Sequence, residues 1–178
     1  LRLLHEERNA ARVPHNRGMK LLPWVLMASV ALPLAVLGAG RAGWLAGSPP
    51  PNLGVVNGRL APPAKTPNSV SSQADLYPGH PQLDYARIAP LAFAGDGPAA
   101  MARLATVIRH MDGAHIAREK PDYLYAQFRT PWLGFVDDAE FWQDPAAGVI
   151  QLRSASRLGN SDLGLNRQRI ETIRRAHV

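Results

Sequence analysis

The sequence predicts an α+β fold: an antiparallel meander of three to four strands with two helices on one face, plus an N-terminal transmembrane or signal helix. Three patterns predict it. Residues 122–130 (DYLYAQFRT) alternate Leu124, Ala126 and Phe128 with Tyr123, Tyr125, Gln127 and Arg129, the period of a strand. Asp144-Pro145-Ala146-Ala147-Gly148 separates strand-like runs at 135–143 and 148–156 and reads as a hairpin turn. Met101, Leu104, Val107, Ile108 and Met111 form one apolar helical stripe. Two helices covering one sheet face make an α+β layer.

Residues 21–40 (LLPWVLMASVALPLAVLGAG) carry no charge. At about 1.5 Å per residue this helix reaches about 30 Å, the thickness of a bilayer core. Pro23 and Pro33 are tolerated in lipid but would break a soluble helix of this length. Arg2, Arg8, Arg12, Arg17 and Lys20 precede the run, and only Arg41 follows closely. That bias places the N-terminus in the cytoplasm and residues 48–178 on the periplasmic, extracytoplasmic side. Two routes stay open. One is an uncleaved anchor, favoured by the length. The other is a signal peptide starting at Met19-Lys20 and cut near Ala42 or Gly47, which releases the domain. In either case residues 1–20 are a basic flank, with 1–18 readable as an upstream extension, and residues 21–47 are the membrane segment.

Residues 48–84 read as a Pro/Gly/Ser-rich arm that opens on Ser48-Pro49-Pro50-Pro51, and residues 85–178 as the compact domain. Asp96 caps a helix with Pro98 in its first turn and Gly113 as its stop. Strands follow at 114–119, 122–130, 135–143 and 148–156. A last helix spans Asp162 to Ala176, with Leu163, Ile170 and Ile173 inward.

Composition excludes several function classes. The chain has no cysteine, so disulfides, thiolate zinc sites, cysteine nucleophiles and lipid attachment at cysteine are ruled out. Its net charge of +6 lies mostly beside the apolar segment rather than on the domain, which argues against nucleic acid. No nucleophile elbow, metalloprotease or phosphate-loop motif is present. His110 and His115 flank Asp112 at a weak metal spacing, and neither a metal nor a cofactor is expected.

The apolar pattern also proposes a register. Phe141 faces Ile150, Ala139 faces Leu152, Asp137 faces Ser154 and Phe135 faces Ser156, with Phe128 opposite Phe135 and Ala126 opposite Asp137. The other face pairs Asp138 with Arg153 and Glu140 with Gln151, and Tyr125, Asp138 and Arg153 read there as an exposed row. Asp137 then faces the core and needs a partner. The stretch RSASRLGNSDLGLNRQRIETIR, Arg153 to Arg174, passes nearby. Asp137, Ser154, Ser156, Arg157, Asn160, Ser161, Asn166 and Arg167 are the candidate site. They form a polar latch, in which the serines and helix-start amides hold Asp137, a pocket for an anionic or polar ligand, or a protein-docking face.

That stretch, with FVDDAEF at 135–141 and PNSVSSQ at 67–73, resembles an uncharacterised bacterial and plastid family, domain of unknown function 1499, over about residues 53–175. The resemblance implies one α+β domain, commonly exported or membrane-attached, and no established activity. It also implies two cysteines in the arm, at the positions of Pro63 and Ser69, which this chain lacks. Three functions follow as expectations. The first is a non-catalytic binding or assembly module in the cell envelope, held to the membrane by residues 21–40, whose partner is an anionic small molecule, a lipid head group or an envelope protein. The second is a hydrolase using Asp137 with Arg157 and nearby serines. The third is a structural spacer.

Overall fold

The computed structural model describes residues 21–177; the basic flank read at 1–20 lies outside them. The chain divides after Val36 into an N-terminal unit and a compact domain from Leu37 onward. The apolar run forms helix α1 (Leu22–Arg41), with Pro33 inside it. Its most apolar stretch has a mean hydropathy of 2.0 and no buried residue, so by length and composition α1 is able to cross a membrane or serve as a signal sequence.

The domain is α+β, with a sheet of five antiparallel strands in the order β1-β5-β4-β3-β2. These are β1 (Ser69–Ser71), β2 (Ala114–Glu119), β3 (Tyr123–Arg129), β4 (Val136–Asp144) and β5 (Val149–Ser156). The extra strand comes from the arm: β1 pairs with β5 at the sheet edge. Two long helices, α3 (Gly97–Arg109) and α4 (Leu165–His177), and a short one, α2 (Leu83–Ala86), complete the domain. As the pattern implies, the Asp96 carboxylate caps α3 by accepting the Ala99 N–H at 3.0 Å. Met101, Leu104 and Ile108 of α3 and Ile170 and Ile173 of α4 join Leu124, Phe128, Phe141, Ile150 and Leu152 in one core.

Both strand registers differ from the expected ones by two residues. Phe141 faces Leu152, Asp137 faces Ser156 and Ala139 faces Ser154. Phe128 faces Asp137, and Ala126 faces Ala139. A shift of two keeps each side chain on its face. In the β4–β5 hairpin the cause is Asp144, read as a turn residue but paired with Val149 inside the ladder. Its carboxylate accepts the Ala146 and Ala147 amides at 3.1 and 3.2 Å, so the turn proper is residues 145–148. Leu163 is also misplaced by the pattern. Helix α4 starts at Leu165, and Leu163 lies before it, 96% exposed.

The sheet face opposite the helices is covered too. Val56 and Arg59 form a bridge around Asn57 and Gly58, whose φ angles of 52° and 70° suit a tight hairpin. Gln73 grips this hairpin, accepting the Leu60 N–H at 2.8 Å and donating to the Gly58 carbonyl at 3.0 Å. Leu60 then packs on Tyr123 and Tyr125, with Leu53, Val55 and Trp142 around it. The arm therefore belongs to the fold and closes the face that reads as open.

Candidate functional site

The candidate residues separate onto the two faces of the sheet. Asp137 and Asp138 are adjacent on β4 and point opposite ways. Each is buried, at 4% and 1% exposure, and each has its own arginine.

On the helix side, Asp137 is paired with Arg169, Nη2 to Oδ2 at 2.5 Å. The serines and helix-start amides expected to hold it do not. Arg169 also donates through Nη1 to Asn166 Oδ1 at 2.7 Å and lies 4.6 Å over the Phe128 ring. Asn166 is fully buried and joins three segments. Its Oδ1 accepts the Ser154 hydroxyl at 2.6 Å, and its Nδ2 donates to Ser156 Oγ at 3.1 Å, to the Asn68 carbonyl at 3.1 Å and to Asp162 at 2.8 Å. Arg169 was absent from the expected set, although it follows Asn166 by three residues and so shares its helix face.

Asp162 closes the start of α4. It accepts the Asn166 and Gly164 amides at 3.0 Å and the Tyr85 hydroxyl. Burial pushes its pKa up, but the hydrogen bonds from Tyr85, Asn166 and Gly164 outweigh burial and hold it below the usual carboxylate value of 3.8. A lowered folded pKa adds stability that is present above the unfolded value and is lost as pH falls through the folded one. Asp162→Ala will therefore cost about 1 kcal/mol at neutral pH, the typical loss of a helix cap. It will also flatten the fall in stability that the native chain shows below pH 3.8. Urea midpoints measured across that range check both.

Arg157, expected beside Asp137, lies on the other face. It grips Asp138 through Nε at 2.8 Å and Nη2 at 2.7 Å. Tyr125 donates its hydroxyl to the same carboxylate at 2.5 Å. Arg167 reaches neither acid; it donates to the Tyr85 and Arg87 carbonyls at 2.6 and 2.8 Å and so ties α4 to α2. Asn160 and Ser161 are exposed, and the Ser161 hydroxyl accepts the Leu163 N–H at 3.3 Å. Asp137 and Arg157, the proposed hydrolytic pair, are thus held apart by the sheet itself.

The row read as exposed is a buried charged cluster. Glu140 is 1% exposed and Arg153 7%. Glu140 Oε1 accepts the Tyr123 hydroxyl and the Gly54 N–H, both at 2.7 Å. Arg153 donates through Nε to the Pro62 carbonyl at 3.0 Å. The two groups face each other at 3.9 Å, and Glu140 Oε2 and Arg153 Nη1 have no hydrogen-bond partner. Burial, and then Glu140, push the Tyr123 phenol well above its ordinary pKa, so it stays a donor to the carboxylate. Burial lowers the Arg153 pKa, against the pull of Glu140 and Asp138.

Over this cluster the arm forms an open cavity of about 540 Å³ lined by Asn52, Gly54, Asn57, Arg59, Pro62 and Tyr77, among others. Gly54 and Pro62 both line the cavity and hold the Glu140–Arg153 pair. The site is not expected from the sequence, in which residues 52–82 read as an irregular arm with at most short strands outside the compact domain. The signal available was Asn57-Gly58 between apolar residues, a strong hairpin mark.

Pro63 and Ser69, the positions of the implied family cysteines, bound a short loop that Ser69 Oγ closes by accepting the Ala64 N–H at 2.7 Å. No curated protein and no solved structure matches the chain. A family model described as a protein of unknown function (DUF1499) matches residues 59–176, which takes in the edge strand, the meander, nearly all of both long domain helices and the three buried acid–arginine pairs. The chain belongs to the DUF1499 family.

Proposed function

We propose that this chain is a membrane-tethered, non-catalytic binding module whose domain lies on the extracytoplasmic side and takes a small anionic ligand in the arm cavity. The observation that carries this reading is the incomplete pairing beneath the cavity. Arg153 Nη1 and Glu140 Oε2 face each other at 3.9 Å, too far for a hydrogen bond, and among the described residues neither has another hydrogen-bond partner. Buried polar groups normally have partners, and a persistent orphan calls for a missing one. A carboxylate or phosphate oxygen reaching past Gly54 and Pro62 would supply the acceptor, with residues 52–62 shifting to admit it. Arg59, exposed at the cavity wall, adds a second cation. The exposed apolar helix α1 supports the tether, and the basic residues before it support the side.

Thermal unfolding of the full chain in detergent tests the ligand. Inorganic phosphate, citrate and succinate serve as probes. A saturable rise in Tm with one of them, lost in Arg59→Gln while the ligand-free Tm is unchanged, is the expected result. Flat Tm values across all three would count against the cavity as an anion site. Alkaline extraction of membranes tests the tether: the chain stays in the pellet if α1 anchors it.

A further inference from the structure

The end of the domain where the meander turns back carries an apolar rim. Trp132 in the β3–β4 loop is 67% exposed, and Leu158, Leu163 and Leu165 between β5 and α4 are 43%, 96% and 41% exposed. The ladder puts these loops together, since Arg129 pairs with Val136 and Asp137 with Ser156. Leu163 stands out among them. Its φ of 52° is left-handed, an uncommon and costly state for a leucine. The turn that imposes it is held by Asp162 accepting the Gly164 and Asn166 amides. The fold thus uses half-buried hydrogen bonds to hold a leucine in solvent.

The same end receives the last turn of α1 and the residues after it. Gly40 lies so close to the loop that a Cβ there would run into the Leu133 carbonyl oxygen. Gly47 packs on the side chains of Arg157 and Leu158, where an added Cβ would lie 2.9 and 3.1 Å from the nearest atoms, and Arg157 Nη1 donates to its carbonyl at 3.4 Å. Between them Trp44 is 80% exposed. The uncharged run ends at Gly40 and is followed by Arg41. If α1 spans a bilayer, residues 40–44 are at its surface, and the β3–β4 loop that meets Gly40 through Leu133 and Gly134 is brought to that surface with them.

We infer that this rim, Trp44, Trp132, Leu158, Leu163 and Leu165, docks the domain on the head-group boundary of the bilayer that holds α1. Tryptophan is enriched at that depth because one end of its ring is apolar and the other polar, and leucines beside it add buried area. This inference rests on the reading of α1 as an anchor.

The test separates the two. The chain has no cysteine, so Leu26→Cys, Leu163→Cys and Ala147→Cys each accept one environment-sensitive fluorophore. All three positions are exposed, and Ala147 lies in the turn at the opposite end of the sheet. The labelled full-length chains are placed in vesicles of phosphatidylethanolamine and phosphatidylglycerol, brominated either near the head group or in mid-chain. Mid-chain bromine should quench position 26. Head-group-proximal bromine should quench position 163 and blue-shift its emission, and position 147 should behave as in water. Because a label at 163 could itself insert, Trp132 is read separately in a chain with Trp24, Trp44 and Trp142 changed to Phe, and shallow bromine should quench it as well. Quenching at 26 with positions 163 and 132 like 147 would overturn the docking and leave the anchor standing. A blue shift at 163 without bromine quenching would mean contact between proteins and would overturn it too. No quenching at 26 would end the anchor reading and this inference with it.

Discussion

Arg157→Gln will destabilise the domain by about 3–5 kcal/mol, because it strands a buried carboxylate. Asp138 is 1% exposed, and its cation is the doubly bonded Arg157. With that guanidinium gone, Asp138 keeps the Tyr125 hydroxyl as its side-chain donor. At about 2–4 °C per kcal/mol for a domain of this size, the loss is large enough to read from Tm alone. Arg167→Gln is the matched control. Arg167 is half-buried and donates to two carbonyls rather than to a carboxylate, so its loss should cost about 1 kcal/mol. The two arginines are indistinguishable by composition and lie ten positions apart; the twofold or greater difference expected between them comes from the partner alone. Equal, small losses from both changes would mean that Asp138 is solvated in solution and that the outer-face cluster is not the sealed network described.

Which parts of this molecule were legible follows from what each residue needs. Strand faces were legible because period-2 alternation survives any even shift, so Phe128, Phe141 and Leu152 point inward whatever the register. The register was not, because an Asp before a Pro looks like a turn residue, whereas Asp144 stays in the ladder and bonds forward to the turn amides. That Asp137 faces inward was legible from the same alternation. Its partner was not: Arg157 is nearer in the chain, but odd positions after Ser156 belong to the outer face, and only the phase of α4 selects Arg169. The fate of the other face depended on long-range packing. Tyr123, Tyr125, Asp138, Glu140 and Arg153 look like a wet surface until Gln73 fastens the 56–59 hairpin over them. Leu163 was counted inward on helical spacing, but the Asp162 turn places it outside the helix, with the opposite exposure.

The helix-side pair sets up a sharper experiment than deletion of one partner. Arg169→Met keeps an apolar stem over Phe128 but removes the cation from Asp137 and a donor from Asn166 Oδ1. The expected cost is about 3–5 kcal/mol, since a carboxylate at 4% exposure is left unpaired. Asp137→Leu alone should be nearly as harmful, because it leaves Arg169 facing an apolar side chain. The double change Asp137→Leu/Arg169→Met should recover much of the sum, as buried ion pairs replaced by apolar groups of similar volume often lose little. Urea denaturation of the four chains gives the coupling energy directly. Strong coupling with a stable double variant would show that the pair exists to neutralise itself. Strong coupling with an unstable double variant would show instead that Asn166 needs Arg169, so that the acid serves to aim the arginine at the junction of β1, β5 and α4. Additive losses would mean that the two side chains do not meet in solution, and the helix-side network would have to be redrawn.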